Sequence, residues 1–223
     1  MNGWLRAWKL CQVSPLALDG AAGWKKHRLR RAAFLIPAGN VFLTAIDSGC
    51  RMLGAGWATT EVTVFRLAHE DVAEARCIDE STIWLPHLPG AELRELPDER
   101  AILSAFAELG RFHRLGAIHG DPHAGNFLND RETGRSRIID FETTLPSGMA
   151  AAQGRARDFA ILALDLWKLG HGSPADCGSW REAYGQNEEF CPVERLFRKP
   201  GFRLRKYWQW LGYSPPEFPM RPL

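Results

Sequence analysis

Apolar and polar positions along this chain recur with different periods, and the changes of period mark its elements. Ile102, Ala105, Phe106, Leu109 and Phe112 lie at helical spacing between Pro97-Asp98-Glu99 and Gly116, which predicts an amphipathic helix over residues 98–115. Residues 156–169 are apolar nearly all round and stop at Gly170, so they read as a helix buried in the larger part of the fold. Residues 61–66 are rich in Val, Thr and Phe and read as a strand, as do residues 81–85. The latter run into Pro86-His87-Leu88-Pro89-Gly90, which cannot extend a ladder because proline lacks the donor. Residues 136–141 form a short strand after a polar turn, with Ile138-Ile139 pointing to burial on both faces. In residues 32–53 one helix is expected in the second half, ended by Gly54-Ala55-Gly56, and Asp19-Gly20 begins a turn-like run to Gly23 that joins two strands. The order is strands early, helices late.

Composition narrows the class. The 223 residues are 45% apolar, enough for a sizeable core, which excludes collagen-like, coiled-coil and wholly disordered chains. The 28 basic and 26 acidic residues nearly cancel, so nucleic acid is not expected as a partner. Seven bases against one acid in residues 1–31 nevertheless give the beginning of the chain a positive surface. Five widely spaced cysteines without a C-x-x-C pair argue against a disulfide framework or a zinc site, and a reducing cytoplasm is the expected home. No apolar run approaches the length of a spanning helix, and charges interrupt any signal-peptide core near the start.

The chemistry concentrates in His119-Gly120-Asp121-Pro122-His123-Ala124-Gly125-Asn126-Phe127-Leu128, followed fourteen residues after Asn126 by Asp140 in Ile138-Ile139-Asp140-Phe141-Glu142. Phosphoryl transfer needs a carboxylate to accept the proton of the attacking hydroxyl and hard oxygen ligands to hold Mg²⁺ on the nucleotide phosphates. An Asp, an Asn five residues later and an Asp at the end of a buried strand supply these at the spacing of kinase catalytic loops. Asp121 is then the catalytic base, and Asn126 and Asp140 are the metal and cofactor ligands.

These residues resemble the protein-kinase-like superfamily. The wording H-G-D-P-H-x-G-N-F is closest to bacterial lipopolysaccharide-core (heptose/Kdo) kinases, and is similar to aminoglycoside-type phosphotransferases and ubiquinone-biosynthesis-type atypical kinases. The resemblance implies an α+β, two-lobed fold in a single domain. Its reduced N-terminal β lobe would cover residues 1–85, its hinge about residues 85–92, and its mainly helical C-terminal lobe residues 86–223. It implies ATP and Mg²⁺ as cofactors, with Trp84, Pro86, His87 and Leu88 forming the hinge against the adenine. Asp158 is expected to hydrogen-bond the catalytic-loop backbone or, alternatively, to favour its helix's first turn, and His119 to brace the loop.

The smaller part matches less closely. Trp24-Lys25-Lys26-His27-Arg28 is similar to the stretch that carries the phosphate-pairing lysine; Lys25 is the choice as catalytic and phosphate-binding residue, with Lys26 on the opposite face of the strand. A solvated basic run is the alternative. The partner acid should fall near residue 45, where Asp47 is the available carboxylate, and no G-x-G-x-x-G precedes Lys25. Glu142 replaces the glycine of the Asp-Phe-Gly pattern and either adds a metal-facing oxygen or is solvated. The implied reaction moves the γ-phosphoryl of ATP to a hydroxyl, with a lipopolysaccharide-core sugar as acceptor at the cytoplasmic face of the inner membrane. A small metabolite, a protein serine, or a pseudokinase binding nucleotide without turnover are the alternatives.

Past Gly170 the chain mixes aromatics with bases. Six of residues 195–206 are Lys or Arg, and Tyr207-Trp208-Gln209-Trp210 follows. This suits either a peripheral contact with an anionic membrane or a helix covering the core. Trp4, Trp8 and Trp24 read as core residues.

Overall fold

The computed structural model describes residues 10–45, 50–95, 97–146, 148–171 and 177–185. In chain order the elements are β1 (Cys11–Pro15), β2 (Gly23–Arg28), α1 (Ala32–Ala45), β3 (Arg51–Met52), α2 (Trp57–Ala68), β4 (Arg76–Asp79), β5 (Thr82–Pro86), β6 (Ala91–Glu92), α3 (Glu99–Arg114), β7 (Phe127–Asn129), β8 (Ser136–Ile138), β9 (Thr143–Thr144), α4 (Ala151–Lys168) and α5 (Cys177–Tyr184). Single 3₁₀ turns lie at Leu93–Glu95 and Ala124–Asn126. The fold is mixed α+β. An antiparallel sheet runs β1-β2-β5-β4, a smaller one runs β6-β7-β8, and β3 pairs with β9. Helices and strands are interleaved, so the expectation of strands first and helices later does not hold.

β1 and β2 are joined, as expected, through Asp19 (φ 51) and Gly20 (φ 79), whose left-handed conformations suit the twist of a tight turn. The 61–66 strand is instead the middle of α2. Trp57, Ala58, Glu61, Val62, Phe65 and Ala68 are buried at helical spacing, and burial of Trp57 and Phe65 outweighs the few tenths of a kcal/mol that each Thr or Val costs a helix. Gly54-Ala55-Gly56 opens α2 rather than closing the helix before it; Gly56 is its N-cap at φ 77. That preceding helix, α1, runs from the start of 32–53 to Ala45 rather than lying in its second half, and contains Pro37. Tertiary ties offset the bond proline removes. Ala32 and Ile36 pack with Leu10, and the Asn40 side chain both donates to the Met52 carbonyl (3.1 Å) and accepts from its N–H (2.8 Å).

The α3 helix opens as expected, Asp98 Oδ1 accepting from Ala101 N at 2.7 Å. One core runs from Trp57 on α2 through Phe106 and Phe112 on α3 to Phe159 on α4 and Tyr184 on α5. Helix α3 meets α5 so closely that a Cβ on Gly110 would stand 2.0 Å from the Tyr184 carbonyl oxygen, so only glycine fits there. Trp84 and Trp180 are in the interior, but Trp24 is 40% exposed, against the expectation of a core residue. Trp4, Trp8 and residues 186–223, with the aromatic and basic run, lie outside the described residues. Among the described residues no helix is long and apolar enough to cross a membrane.

His69, at the end of α2, is buried and its Nε2 donates to the Ile138 carbonyl at 2.7 Å. Burial lowers its pKa from 6.5 to about 4, so on acidification the unfolded chain takes up the proton first. Stability from this group is present above pH 6.5 and is lost as pH falls toward 4. At about pH 5 we expect His69 to cost the wild type about 2 kcal/mol that His69→Gln avoids, read as a difference in the pH slope of urea unfolding.

Candidate active site

Three carboxylates and one ammonium meet from three distant parts of the sequence. β2 pairs with β5 so that Lys26 stands opposite Ile83, which is fully buried, and this register points Lys26 inward. Its Nζ reaches Glu61 Oε1 at 2.7 Å, Asp140 Oδ1 at 2.5 Å and Glu142 Oε1 at 2.8 Å. Lys25, the residue chosen from the sequence, points to the opposite face and is exposed, so the lysine at the site is Lys26. The carboxylate it meets on a helix is Glu61; Asp47 lies outside the described residues. Arg28 sets the position of α2. Its Nη1 donates to the Leu53 and Gly54 carbonyls at 2.8 and 3.0 Å, and its guanidinium stacks on Trp57, 4.3 Å from the ring centre.

Burial works against the Lys26 charge, but Asp140, Glu61 and Glu142 outweigh it and hold its pKa well above the ordinary value. Burial raises Glu61 to about 7, with Lys26 opposing, while Lys26 keeps Asp140 below its ordinary value despite burial. Three carboxyl groups thus face a single ammonium. This imbalance, together with a Glu61 Oε2 that is buried without a partner among the described residues, suits a further cation.

The loop from His119 to Asn126 is fixed by its neighbours. Asp158, fully buried on α4, accepts from the N–H groups of His119 (2.8 Å) and Gly120 (3.0 Å), so the loop-bracing bond expected of it is made. His113 Nε2 donates to the same carboxylate at 3.1 Å and accepts at Nδ1 from the Tyr184 hydroxyl. Burial opposes the Asp158 charge, but these bonds hold its pKa below the usual carboxylate range. Gly120, at φ 86, carries the turn into Asp121. Asp158→Ala strands two loop N–H groups and is expected to cost about 3–5 kcal/mol of stability, measured by urea unfolding.

His119 is the brace expected of it: Nδ1 accepts from the Asp121 N–H at 3.2 Å and Nε2 donates to the Ile139 carbonyl at 2.9 Å. Burial lowers its pKa, so it is neutral in this role. The Ile139 N–H donates to the Asn126 carbonyl at 2.9 Å. Strand β8 therefore ends at Ile138, three residues short of the expected 141, because Ile139 bonds the loop and Asp140 takes φ 70. A left-handed Asp beside a buried lysine is backbone strain of the kind held at functional sites. Asn126 Nδ2 donates to the Asp121 carbonyl at 2.9 Å, which leaves Oδ1 as its oxygen donor for a cation. Asp121 is half-buried on this same knot of hydrogen bonds.

Under the sheet opens a cleft of about 1110 Å³. Lys26, Glu61, Asn126, Asp140 and Glu142 line it, with Arg31, Glu92 and Arg94 as further charged groups. Val13 and Trp24 from the sheet and Leu128 and Ile139 from the segments around Asn126 and Asp140 supply apolar walls. Pro86, His87 and Leu88 also line it. Trp84 does not. It pairs with Lys25 on the far face of the sheet, is 3% exposed, and its Nε1 donates to the Leu16 carbonyl at 2.9 Å. Its place over the cleft is taken by Trp24, whose ring centre is 6.3 Å from that of His87. The His87 N–H is bound to the Ala22 carbonyl at 3.0 Å, so the first backbone groups past the ladder are the His87 carbonyl and the Leu88 N–H.

Among the described residues no three His, Cys, Asp or Glu side chains form a metal-ligand group. The donors present are an amide oxygen and a carboxylate, the hard oxygen pair that Mg²⁺ takes when phosphates and water complete its shell. Compared with protein-family models and with curated proteins, the chain matches no family model and no curated sequence.

Proposed function

We propose that the chain is an ATP-dependent phosphotransferase of the protein-kinase-like superfamily, with the cleft lying between a reduced N-terminal lobe and a helical C-terminal lobe. The observation that carries the reading is the convergence of Lys26, Glu61, Asn126 and Asp140, from strand, helix, loop and post-strand segment, in a cleft that also presents Val13, Trp24, Leu85, Leu88, Leu128 and Ile139. Apolar walls beside a cation and hard oxygen donors match a nucleotide, its base against the apolar side chains and its phosphates at the charged groups.

The purine would lie between Val13 and Trp24 above and Leu128 and Ile139 below, its edge meeting the His87 carbonyl and Leu88 N–H. Lys26 would move from Asp140 to the phosphates while keeping Glu61. Asn126 Oδ1 and Asp140 would hold Mg²⁺, which when bound neutralises charge developing on the transferred group. Asp121 orients the acceptor hydroxyl and takes its proton as the oxygen attacks the γ-phosphorus and the bond to the ADP oxygen breaks.

The favoured acceptor is a sugar of the lipopolysaccharide core, on the motif resemblance, with the reaction at the cytoplasmic face of the inner membrane. Incubation with Mg-ATP and isolated core oligosaccharide is expected to add one phosphate by mass spectrometry. Transfer only to small hydroxylated metabolites or protein serine would replace the acceptor, and absence of Mg-ATP binding would contradict the reading itself. A nucleotide-binding module without turnover is the second reading. It is favoured by the short β1–β2 connection, which carries no G-x-G-x-x-G over the phosphates.

Trp24 gives this reading a particular consequence. Its ring lines the cleft on the same face of β2 as Lys26, so stacking on a base should contribute substantially to binding. Trp24→Ala is expected to weaken ATP binding about tenfold, and Trp24→Phe to retain most of it, in calorimetric titration.

A further inference from the structure

We propose that the outward face of α1 is a docking surface for an anionic lipid bilayer. The 14 residues of this helix include no charge. Ala32 and Ile36 face inward with Leu10, while Phe34 is 82% and Val41 71% exposed. Pro37 and Ala38 are exposed between them. Positions 34, 37, 38 and 41 fall at i, i+3, i+4 and i+7, one continuous stripe of a helix. An uncharged apolar stripe turned to solvent is the surface that marks a contact rather than a finished exterior.

Charge selects the occupant. Arg30 and Arg31 immediately precede α1 and are exposed, and so is Arg51 on β3, the strand against which this helix packs. Bases at the headgroup level beside apolar side chains at the acyl boundary match an anionic leaflet, where charge attracts at range and the stripe inserts. A second copy matches poorly, because a twofold contact through this stripe would bring both sets of arginines together. At 14 residues the helix is shorter than the roughly 20 that a span requires, so it lies in the interface plane.

Leu29 and Arg31, next to the stripe, also line the cleft. Docking through α1 therefore sets the mouth of the cleft beside the leaflet. That the acceptor is itself lipid-anchored rests on the phosphotransferase reading, whereas the docking does not.

The test is co-sedimentation of the full chain with phosphatidylcholine vesicles, with and without phosphatidylglycerol. Wild type is expected to sediment with the anionic vesicles and to release as salt is raised. Phe34→Glu/Val41→Glu is expected to weaken binding about tenfold or more, with an unchanged melting temperature because both side chains face solvent. Arg30→Glu/Arg31→Glu, which leaves the stripe intact, is expected to weaken it as well. Equal sedimentation of wild type and both variants would overturn the proposal. So would a self-associating wild type that Phe34→Glu/Val41→Glu renders monomeric without altering vesicle binding. Loss of ATP turnover with vesicle binding intact would count against the phosphotransferase reading alone.

Discussion

Lys26→Met is expected to cost about 3–5 kcal/mol of folding stability near neutral pH, while Lys25→Met stays within about 0.5 kcal/mol. The two lysines are neighbours in sequence and opposites in structure. Lys25 is exposed, whereas Lys26 is the ammonium on which Glu61, Asp140 and Glu142 converge. Without it, the buried Glu61 carboxylate faces the partly exposed Asp140 and Glu142 with no lysine between them, and the group must either repel or take up protons. The loss should therefore shrink as pH falls and the carboxyls are neutralised. Chemical unfolding of both variants at neutral and acidic pH checks this, and equal effects of the two substitutions would contradict the register that directs Lys26 inward.

Asp121→Asn is expected to lower phosphoryl transfer about 10²–10⁴-fold while ATP binding stays within about twofold. Asparagine keeps the shape of the side chain. The loop is held through backbone atoms of residue 121, its N–H on His119 Nδ1 and its carbonyl on Asn126 Nδ2, and neither bond depends on the carboxylate. Only the proton acceptor is lost. Single-turnover measurements beside calorimetric binding separate the two effects. Binding with no turnover in the wild type would favour the module without catalysis.

The His119–Asn126 loop and the segment around Asp140 stand out in the sequence because their pattern is one of short spacing: five residues from Asp121 to Asn126, and an apolar pair before Asp140. What pairs across the fold was harder to read. Glu61 was hidden by a run of Val, Thr and Phe with strong strand character, although Trp57, Glu61, Phe65 and Ala68 already show a helical repeat that only burial makes decisive. The choice between Lys25 and Lys26 depends on strand parity. Within β2 each face mixes polar and apolar residues, so only pairing with Ile83 determines which side turns inward. The same parity removes Trp84 from the cleft and puts Trp24 over it. Asp140 ends its strand early because its conformation is set by His119 and Asn126, contacts that propensity does not contain.

A crystal structure with Mn²⁺ and a non-hydrolysable ATP analogue would show whether nucleotide and metal meet at Asn126 and Asp140. One manganese anomalous peak is expected, bound by Asn126 Oδ1 and the Asp140 carboxylate, with Lys26 on the phosphates and Asp121 facing the terminal phosphorus. A nucleotide elsewhere, or a metal that neither Asn126 nor Asp140 touches, would contradict that placement.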